Sequence, residues 1–203
     1  MARSVLLILL PIITGYLLLP IASAAYSLPT GYRQVAMIYG VPPELLYVVA
    51  LNESSALLTA GRLPWPWTIN VAGKGYHYAT RLEAWSALNN FLKSHPRKRI
   101  DVGISQINLG WNGHHFNSTW DAFDPYLNLK AAAVILRACY SRNPGSWLNA
   151  AGCFHRPAGG LASKSYKTRV NNNLIILYAG HLEVSDASIK HGYSWIEPKR
   201  KER

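Results

Sequence analysis

Glu53 is the side chain in this sequence best placed to transfer a proton. It lies near the end of the run 41–55, in which most residues are apolar and the only other charge is Glu44. The Pro42-Pro43 pair predicts the start of a helix, and so apolar a helix should be buried. A carboxyl group at its end would be poorly solvated, which favours the protonated form that a general acid needs. The alternative is that Glu53 is an exposed last-turn residue of an ordinary core helix.

A second segment, residues 103–108, carries side chains suited to binding a sugar. Gly103 permits close approach of the backbone, and Gln106 and Asn108 present amides that can donate to and accept from hydroxyl and acetamido groups. A buried turn that caps a helix is the alternative for this segment. Asp101 would cap that turn or serve as a second catalytic carboxylate.

The N-terminus has the pattern of a secretory signal peptide. Arg3 precedes an almost wholly apolar stretch, 5–19, and Ala22-Ser23-Ala24 matches the small residues of a cleavage site. We therefore expect residues 1–24 to be a signal peptide and the protein to be exported to the periplasm. The alternative is an uncleaved segment that anchors the protein in the membrane, which the prolines at 11 and 20 disfavour.

The remainder of the chain is long enough for one domain over residues 25–190, followed by a basic tail, 191–203. The formal net charge of +11 suits an anionic polymer, an anionic membrane or nucleic acid. Export makes nucleic acid the weakest of these, so we expect no nucleic-acid partner. We also expect a monomer.

Cys139 and Cys153 are the two cysteines of the sequence. An even pair in an exported protein, on either side of the turn-rich residues 141–145, predicts a disulfide between two helices. Closing a loop of this length contributes roughly 3 kcal/mol to the free energy of unfolding. The alternative is a cysteine nucleophile with His155 nearby, which the oxidation of exported thiols disfavours.

Apolar periodicity and capping residues predict a mainly α (α+β) fold. Helices are expected over 30–39, 43–55, 80–94, 125–140, 146–154 and 164–179, and the third is opened by a Thr80 cap with Glu83 three residues on. A small β-hairpin is expected within 62–78. Residues 67–71 favour a strand, and the glycine-containing turn 72–75 follows them.

Five segments of the sequence occur in a characteristic order and spacing: Glu53-Ser54, Gly103-Ile104-Ser105-Gln106-Ile107-Asn108, the alanine-rich run 131–136, Ala150-Ala151-Gly152-Cys153-Phe154-His155, and Tyr166 with Val170. Together they resemble the soluble lytic transglycosylase (SLT) domain, over about residues 42–170. The resemblance implies a lysozyme-like fold in which helices surround a glycan-binding groove. Residues 64–71 and 73–76 narrow the resemblance to those transglycosylases that are associated with integrating conjugative elements and with type IV secretion or pilus systems.

The resemblance implies a peptidoglycan lytic transglycosylase without a cofactor or a metal. Such an enzyme cleaves the β-1,4 bond between N-acetylmuramic acid and N-acetylglucosamine and leaves a 1,6-anhydro end. Glu53 would protonate the leaving oxygen and then accept the proton of the muramyl 6-hydroxyl as it closes on C1. One carboxyl group serves both steps, whereas hydrolysis commonly uses a pair. The implied partners are glycan strands and components of a secretion or conjugation apparatus, for which the enzyme would open the wall locally.

The resemblance also implies a set of substrate-binding residues around Glu53: Ser54, Gln106, Asn108, Tyr166, His155, Trp65 and Trp67. Ser54 would orient Glu53 or the acetamido group of the substrate, and Tyr166 would hydrogen-bond near the acid. Trp65 and Trp67 would stack on sugar faces or, alternatively, form an aromatic clamp that holds a loop over the core.

One departure from the family pattern is Phe154-His155, where many relatives carry a Tyr-Asn pair. Phe154 has no phenolic hydroxyl, so His155 or Tyr166 would take over that contact, or turnover would be weaker. His155 would be a pH-sensitive groove residue or, alternatively, an ordinary surface histidine. Two alternative functions remain: a catalytically weak or silent peptidoglycan-binding scaffold, and a muramidase that uses Asp101. A cationic module that binds nucleic acid or a membrane would leave the ordered motifs unexplained.

Overall fold

The computed structural model describes residues 28–58 and 61–179. Six α-helices lie in this part of the chain: α1 Thr30–Tyr39, α2 Pro43–Ser54, α3 Arg81–Ser94, α4 Pro125–Arg142, α5 Trp147–His155 and α6 Gly160–Tyr178. The predicted signal peptide (1–24) and basic tail (191–203) lie outside the described residues, as do the ends of the predicted domain (25–27 and 180–190). The mainly helical class is confirmed.

Each predicted helix occurs, with differences at the ends. α3 follows a Thr80 cap, as predicted, and the Glu83 amide donates to the Thr80 hydroxyl oxygen (3.1 Å). The largest difference is in α6, which begins at Gly160 rather than at Lys164. Gly159 and Gly160 have φ angles of 71° and 81°. The glycine pair therefore forms the turn that starts the helix, although glycines in a sequence favour a loop.

Six short strands form two antiparallel sheets in the described residues: β1 Ser55–Leu58, β2 Gly61–Pro64, β3 Thr68–Val71, β4 Lys74–His77, β5 Ile100–Val102 and β6 Ile107–Asn108. β1 pairs with β2, and the other sheet has the order β4-β3-β5-β6. The predicted hairpin is confirmed as β3–β4. Residues 103–106 form the turn between β5 and β6, and residues 107–108 are β6, so the helix-capping alternative for this segment is wrong. β5 and β6 have three and two residues, which is too short for the alternation of apolar and polar residues from which strands are predicted.

α2 lies at the centre of the larger of two hydrophobic cores. Its residues 45–51 are all buried, and α1, α4 and α6 pack around it. A helix that is apolar on every side has no face for water and therefore packs in the interior. Taken singly, none of the described helices is long and apolar enough to span a membrane, and α1 and α2 reach that length only as a pair bent by 116°. The smaller core lies between α3 and the four-stranded sheet.

A disulfide and a glycine fix α5, the helix that ends at His155. The predicted bond between Cys139 and Cys153 is present and joins α4 to α5. On the other side, α5 packs closely on α6. A Cβ atom on Gly152 would lie only 2.7 Å from the Ser163 hydroxyl, so a larger residue there would have to displace that side chain. α5 is therefore held from two sides.

Candidate active site

Four of the predicted site residues line one pocket of about 240 Å³. The pocket lies where the end of α2 meets strands β3, β5 and β6 and the end of α5. Its lining residues are Glu53, Asn70, Asp101, Gln106, Ile107, Asn108, Asn112, Ile135, Phe154 and His155. Most of these side chains are amides or carboxyls, which suits the many hydroxyl and acetamido groups of a sugar.

Glu53 contributes a carboxyl group that is mostly buried and still reaches the pocket. The side chain is 15% exposed. Among the described residues Oε1 has no hydrogen-bond partner, and Nδ1 of His155 lies 3.5 Å from it. Buried polar atoms usually have partners, so this fully buried oxygen, which faces the imidazole, is unusual. A ligand would meet the exposed 15% of the side chain. The burial argues against the alternative of an exposed last-turn residue.

Ser54 holds the end of α2 in place and is itself buried, with 1% of its surface exposed. Its hydroxyl oxygen lies 2.6 Å from the Ile104 carbonyl and 3.1 Å from the Ala50 carbonyl. A hydroxyl has one proton, so the shorter contact is the donated bond. The same oxygen accepts from the Trp65 amide (3.1 Å). Ser54, the residue next to Glu53, thus ties the end of α2 to the β5–β6 turn. This position fits the role of orienting the acid.

The turn between β5 and β6 brings Gln106 into the pocket. Gly103 has a φ angle of 83°, and a Cβ atom there would lie 2.2 Å from Nδ2 of Asn128, so only glycine fits. Gln106 also has a positive φ, 48°, which is uncommon for a residue with a side chain. Its Nε2 donates to the Thr68 and Gly103 carbonyls (3.1 and 2.8 Å). Both amide protons are then in use, so a sugar hydroxyl would bind Oε1.

Asn128 supports this turn and was missed in the sequence. It is fully buried in the first turn of α4, where Oδ1 accepts from the Ser105 amide (2.8 Å). Its Nδ2 donates to the Val102 and Ala122 carbonyls (2.9 Å each). A polar residue in a buried helix is the signal that could have found it. However, Asn128 follows the Asp124 cap so closely that a polar residue there is ordinary.

Asn108 and Asp101 form a hydrogen-bonded pair on the pocket wall. Nδ2 of Asn108 donates to Oδ1 of Asp101 (2.7 Å) and to the Lys98 carbonyl (3.0 Å). Burial raises the pKa of Asp101; the bond from Asn108 opposes this effect, the charge of Glu53 adds to it, and His155 lowers the pKa. The carboxyl groups of Glu53 and Asp101 therefore interact electrostatically. Asp101 lies in β5, just before the turn that it was expected to cap, and it is the second carboxyl group of the pocket.

His155 and Tyr166 form a stacked pair beside Glu53, with ring centroids 4.2 Å apart and an interplanar angle of 4°. Tyr166 is buried, and burial raises its pKa well above the ordinary value. Glu53 raises this pKa further through its negative charge, whereas Arg169 lowers it. The Tyr166 hydroxyl faces the carboxyl group but completes no hydrogen bond within the described residues. Both residues that could replace the contact missing at Phe154 thus lie next to the acid.

Trp65 and Trp67 lie away from the pocket lining. Trp65 is 4% exposed, and its indole N–H donates to the Tyr78 carbonyl (2.8 Å). Trp67 packs edge-on against it, with centroids 5.3 Å apart. This placement fits the aromatic clamp better than stacking on a sugar. Trp111, which no sequence pattern singled out, is 65% exposed and adjoins the pocket residue Asn112.

The chemistry available in this pocket is proton transfer to and from a bound polar ligand. Glu53 offers the proton, and amides and an imidazole surround it. In the part of the chain that the structure describes, no three His, Cys, Asp or Glu side chains cluster as metal ligands would.

Comparison with known protein families gives a match to the transglycosylase SLT domain over residues 32–176. The matched range includes every residue that lines the pocket, and the helices around the pocket have the lysozyme-like arrangement of this domain. Neither the curated proteins nor the solved structures gave a match. Because the family match covers well over half of the chain, the chain belongs to the transglycosylase SLT domain family.

Proposed function

We propose that this protein is a lytic transglycosylase that cleaves the β-1,4 bond between N-acetylmuramic acid and N-acetylglucosamine and forms 1,6-anhydro-N-acetylmuramic acid. Membership of the SLT domain family makes peptidoglycan the substrate. The observation that carries the proposal is Glu53, a mostly buried acid that lines a pocket rich in amides and has an imidazole 3.5 Å from its carboxyl group. Such a group can deliver a proton to a bound glycosidic oxygen.

The reaction takes place in two steps at this one carboxyl group. Protonated Glu53 donates to the glycosidic oxygen, the C1–O bond breaks, and the N-acetylglucosamine side leaves with a free 4-hydroxyl group. The acetamido group of the substrate stabilises the positive charge at C1. The Glu53 carboxylate then takes the proton of the muramyl 6-hydroxyl while its oxygen bonds to C1. Glu53 ends protonated, and no water is consumed.

Two neighbours of Glu53 are placed to assist the second half of this cycle. The Tyr166 hydroxyl faces the carboxyl group, and because the pKa of Tyr166 is raised it stays protonated and can donate to the carboxylate. His155, 3.5 Å away, can also donate from Nδ1 when that nitrogen carries a proton. Both contacts would stabilise the carboxylate that the first step produces.

A muramidase is the second candidate, because Asp101 lies in the same pocket and interacts with Glu53. In that mechanism Asp101 would activate water or attack C1. One feature favours transglycosylation: an oxygen of Asp101 already accepts a hydrogen bond from Asn108. A carboxyl group held in this way is less free to move toward C1 or toward a water molecule.

The cellular role that we propose is local opening of the wall for a type IV secretion or conjugation apparatus. It rests on the resemblance of residues 64–71 and 73–76 to transglycosylases of such systems. These residues include the end of β2, all of β3 and most of β4, and one of them, Asn70, lines the pocket. Export to the periplasm, with or without membrane anchoring, and a monomeric state belong to the same proposal.

Digestion of purified sacculi in ¹⁸O-labelled water tests the proposed reaction. Released fragments should carry anhydro ends, one water lighter than hydrolysed ends, and should contain no ¹⁸O. Reducing ends with one ¹⁸O atom would show a muramidase instead. Folded protein that pellets with sacculi and releases nothing would support the silent scaffold.

A further inference from the structure

An exposed tryptophan stands at the rim of the pocket. Trp111 lies between Asn108 and Asn112, which both line the pocket, and 65% of its surface is open to water. Single exposed apolar side chains are common on protein surfaces and require no explanation by themselves. Two further features indicate a role for Trp111: its backbone is bonded to a pocket residue, and a lysine ammonium lies over its ring.

The backbone around Trp111 is fixed by Asn108. The amides of Gly110 and Trp111 both donate to Oδ1 of Asn108 (3.0 and 3.1 Å), and the Asn112 amide donates to its carbonyl (2.9 Å). A Cβ atom on Gly110 would lie 2.5 Å from the backbone nitrogen of Lys98, so the turn packs closely against that residue. Nδ2 of Asn108 donates to the Lys98 carbonyl on the other side. One pocket amide therefore sets the positions of both Trp111 and Lys98.

Lys98 places a positive charge over the indole. Its Nζ lies 4.2 Å from the ring centroid of Trp111. Lys98 is exposed, and so are its neighbours Arg97 and Arg99 in the short 3₁₀ helix Arg97–Arg99. Because most of the indole surface stays open, the ammonium group covers only part of it. The rim thus combines a free aromatic surface, which suits the apolar face of a sugar ring, with a cation that suits a carboxylate.

We propose that Trp111 and Lys98 form a subsite that recognises a muramyl residue next to the cleavage pocket. Trp111 stacks on the sugar face, and Lys98 pairs with a carboxylate of that residue. The carboxylate belongs either to the lactyl group or to the stem peptide attached to it. N-acetylglucosamine has no such group, so this subsite would set the register in which a strand enters the pocket. The inference rests on the proposed action on peptidoglycan.

The test measures binding to the Glu53→Gln protein, which should hold a strand without cutting it. Three probes separate the contributions: neutral chitotetraose, amidase-stripped glycan strands with free lactyl carboxylates, and strands that keep their stem peptides. The variants added to this protein are Trp111→Ala, Trp111→Phe and Lys98→Met. Lys74→Met is the matched control, because its ammonium also lies over an aromatic ring, 5.2 Å from the centroid of Tyr76, and lies outside the pocket lining.

Trp111→Ala should weaken binding of all three probes about tenfold, which corresponds to about 1.4 kcal/mol, and Trp111→Phe should restore most of it. Lys98→Met should weaken only the two carboxylate-bearing probes, in a salt-dependent way, and Lys74→Met should change nothing. An effect of Lys98→Met confined to stem-bearing strands would assign the carboxylate to the peptide.

Unchanged affinity in Trp111→Ala, or equal losses for chitotetraose and muramyl strands in Lys98→Met, would overturn the subsite. If wild type still forms anhydro ends, only the subsite has failed. If wild type cuts no sacculi and the Glu53→Gln protein binds no probe, the proposed function fails as well.

Discussion

The imidazole of His155 lies flat against the ring of Tyr166, and Nδ1 of the same imidazole is 3.5 Å from the Glu53 carboxyl group. One acid is therefore flanked by an imidazole and a phenol that support each other. Tyr166 is too deeply buried to offer a sugar more than its hydroxyl, and that hydroxyl faces Glu53. The role that follows for Tyr166 is positioning and stabilising the carboxylate.

Tyr166→Phe should lower kcat by about tenfold while KM changes little, because one hydrogen bond of about 1.4 kcal/mol to the carboxylate is lost. Stability should stay the same or rise, since the hydroxyl removed is buried without a completed hydrogen bond. Tyr47→Phe is the control, because that hydroxyl is likewise buried without a partner among the described residues and the ring lies outside the pocket lining. Steady-state kinetics of both variants test the expected loss in kcat, and thermal unfolding tests the expected stability. Equal kinetic losses in the two would contradict the role given to Tyr166.

Gly103→Ala should destabilise the protein more than Gly73→Ala. Both glycines have positive φ angles, 83° and 93°, so each substitution costs about 1–2 kcal/mol for the backbone conformation. Only at Gly103 would the new Cβ atom also meet a buried side chain, Nδ2 of Asn128 at 2.2 Å, whereas at Gly73 nothing lies within 4 Å. Displacing that amide breaks bonds that hold the turn, which adds about 1–3 kcal/mol. Urea unfolding of both variants measures the difference, and equal losses would show that Asn128 does not constrain the turn.

These contacts show where prediction from the sequence reaches its limit. The position of Glu53 could be predicted because the apolar character of α2 is a local property of the run 41–55. The hydrogen bond between Ser54 and Ile104 joins residues fifty positions apart, and the three bonds of Asn128 likewise cross between elements. No local pattern encodes such contacts. For the same reason Trp65 and Trp111 could not be told apart before their burial was known.

The sheet was only partly predicted, for a related reason. β3 and β4 form a hairpin whose turn residues stand next to each other in the sequence, and this hairpin was expected. β5 has only three residues and β6 only two. β5 pairs with β3, and the whole of α3 lies between these two strands in the sequence. Pairing of such short segments depends on the packing of the smaller core, which only the folded chain brings together.

Asp101→Asn should make the protein more stable than wild type at neutral pH. Folding raises the pKa of Asp101 above its ordinary value of 3.8, so above that pH the folded state binds more protons than the unfolded state. Wild-type stability therefore falls as the pH rises through this window. The asparagine keeps Oδ1 as acceptor for Asn108 but does not titrate. The Tm difference between the variant and wild type should grow as the pH rises above about 4, and a difference that is constant or shrinks would contradict this prediction.

Replacing both Cys139 and Cys153 by serine should lower the free energy of unfolding by roughly 3 kcal/mol, as expected for a closed loop of this length. Activity measured well below the unfolding transition should change much less, because neither cysteine lines the pocket. Chemical denaturation and sacculus digestion test the two parts separately. A stability loss below about 1 kcal/mol would show that α5 is held mainly by its packing on α6.

The central claim is that the single carboxyl group of Glu53 transfers the proton in both steps, and the rate of sacculus digestion by Glu53→Gln tests it most directly. The amide keeps the shape of the side chain but cannot give up or take the proton, so the rate should fall by about 10²–10⁴-fold. Asp101→Asn, measured in parallel, should lose far less. The circular dichroism spectrum and the Tm of Glu53→Gln should be close to those of the wild-type protein, which shows that the variant is folded. A folded Glu53→Gln variant that digests sacculi at the wild-type rate, or an equal loss in Asp101→Asn, would contradict the account.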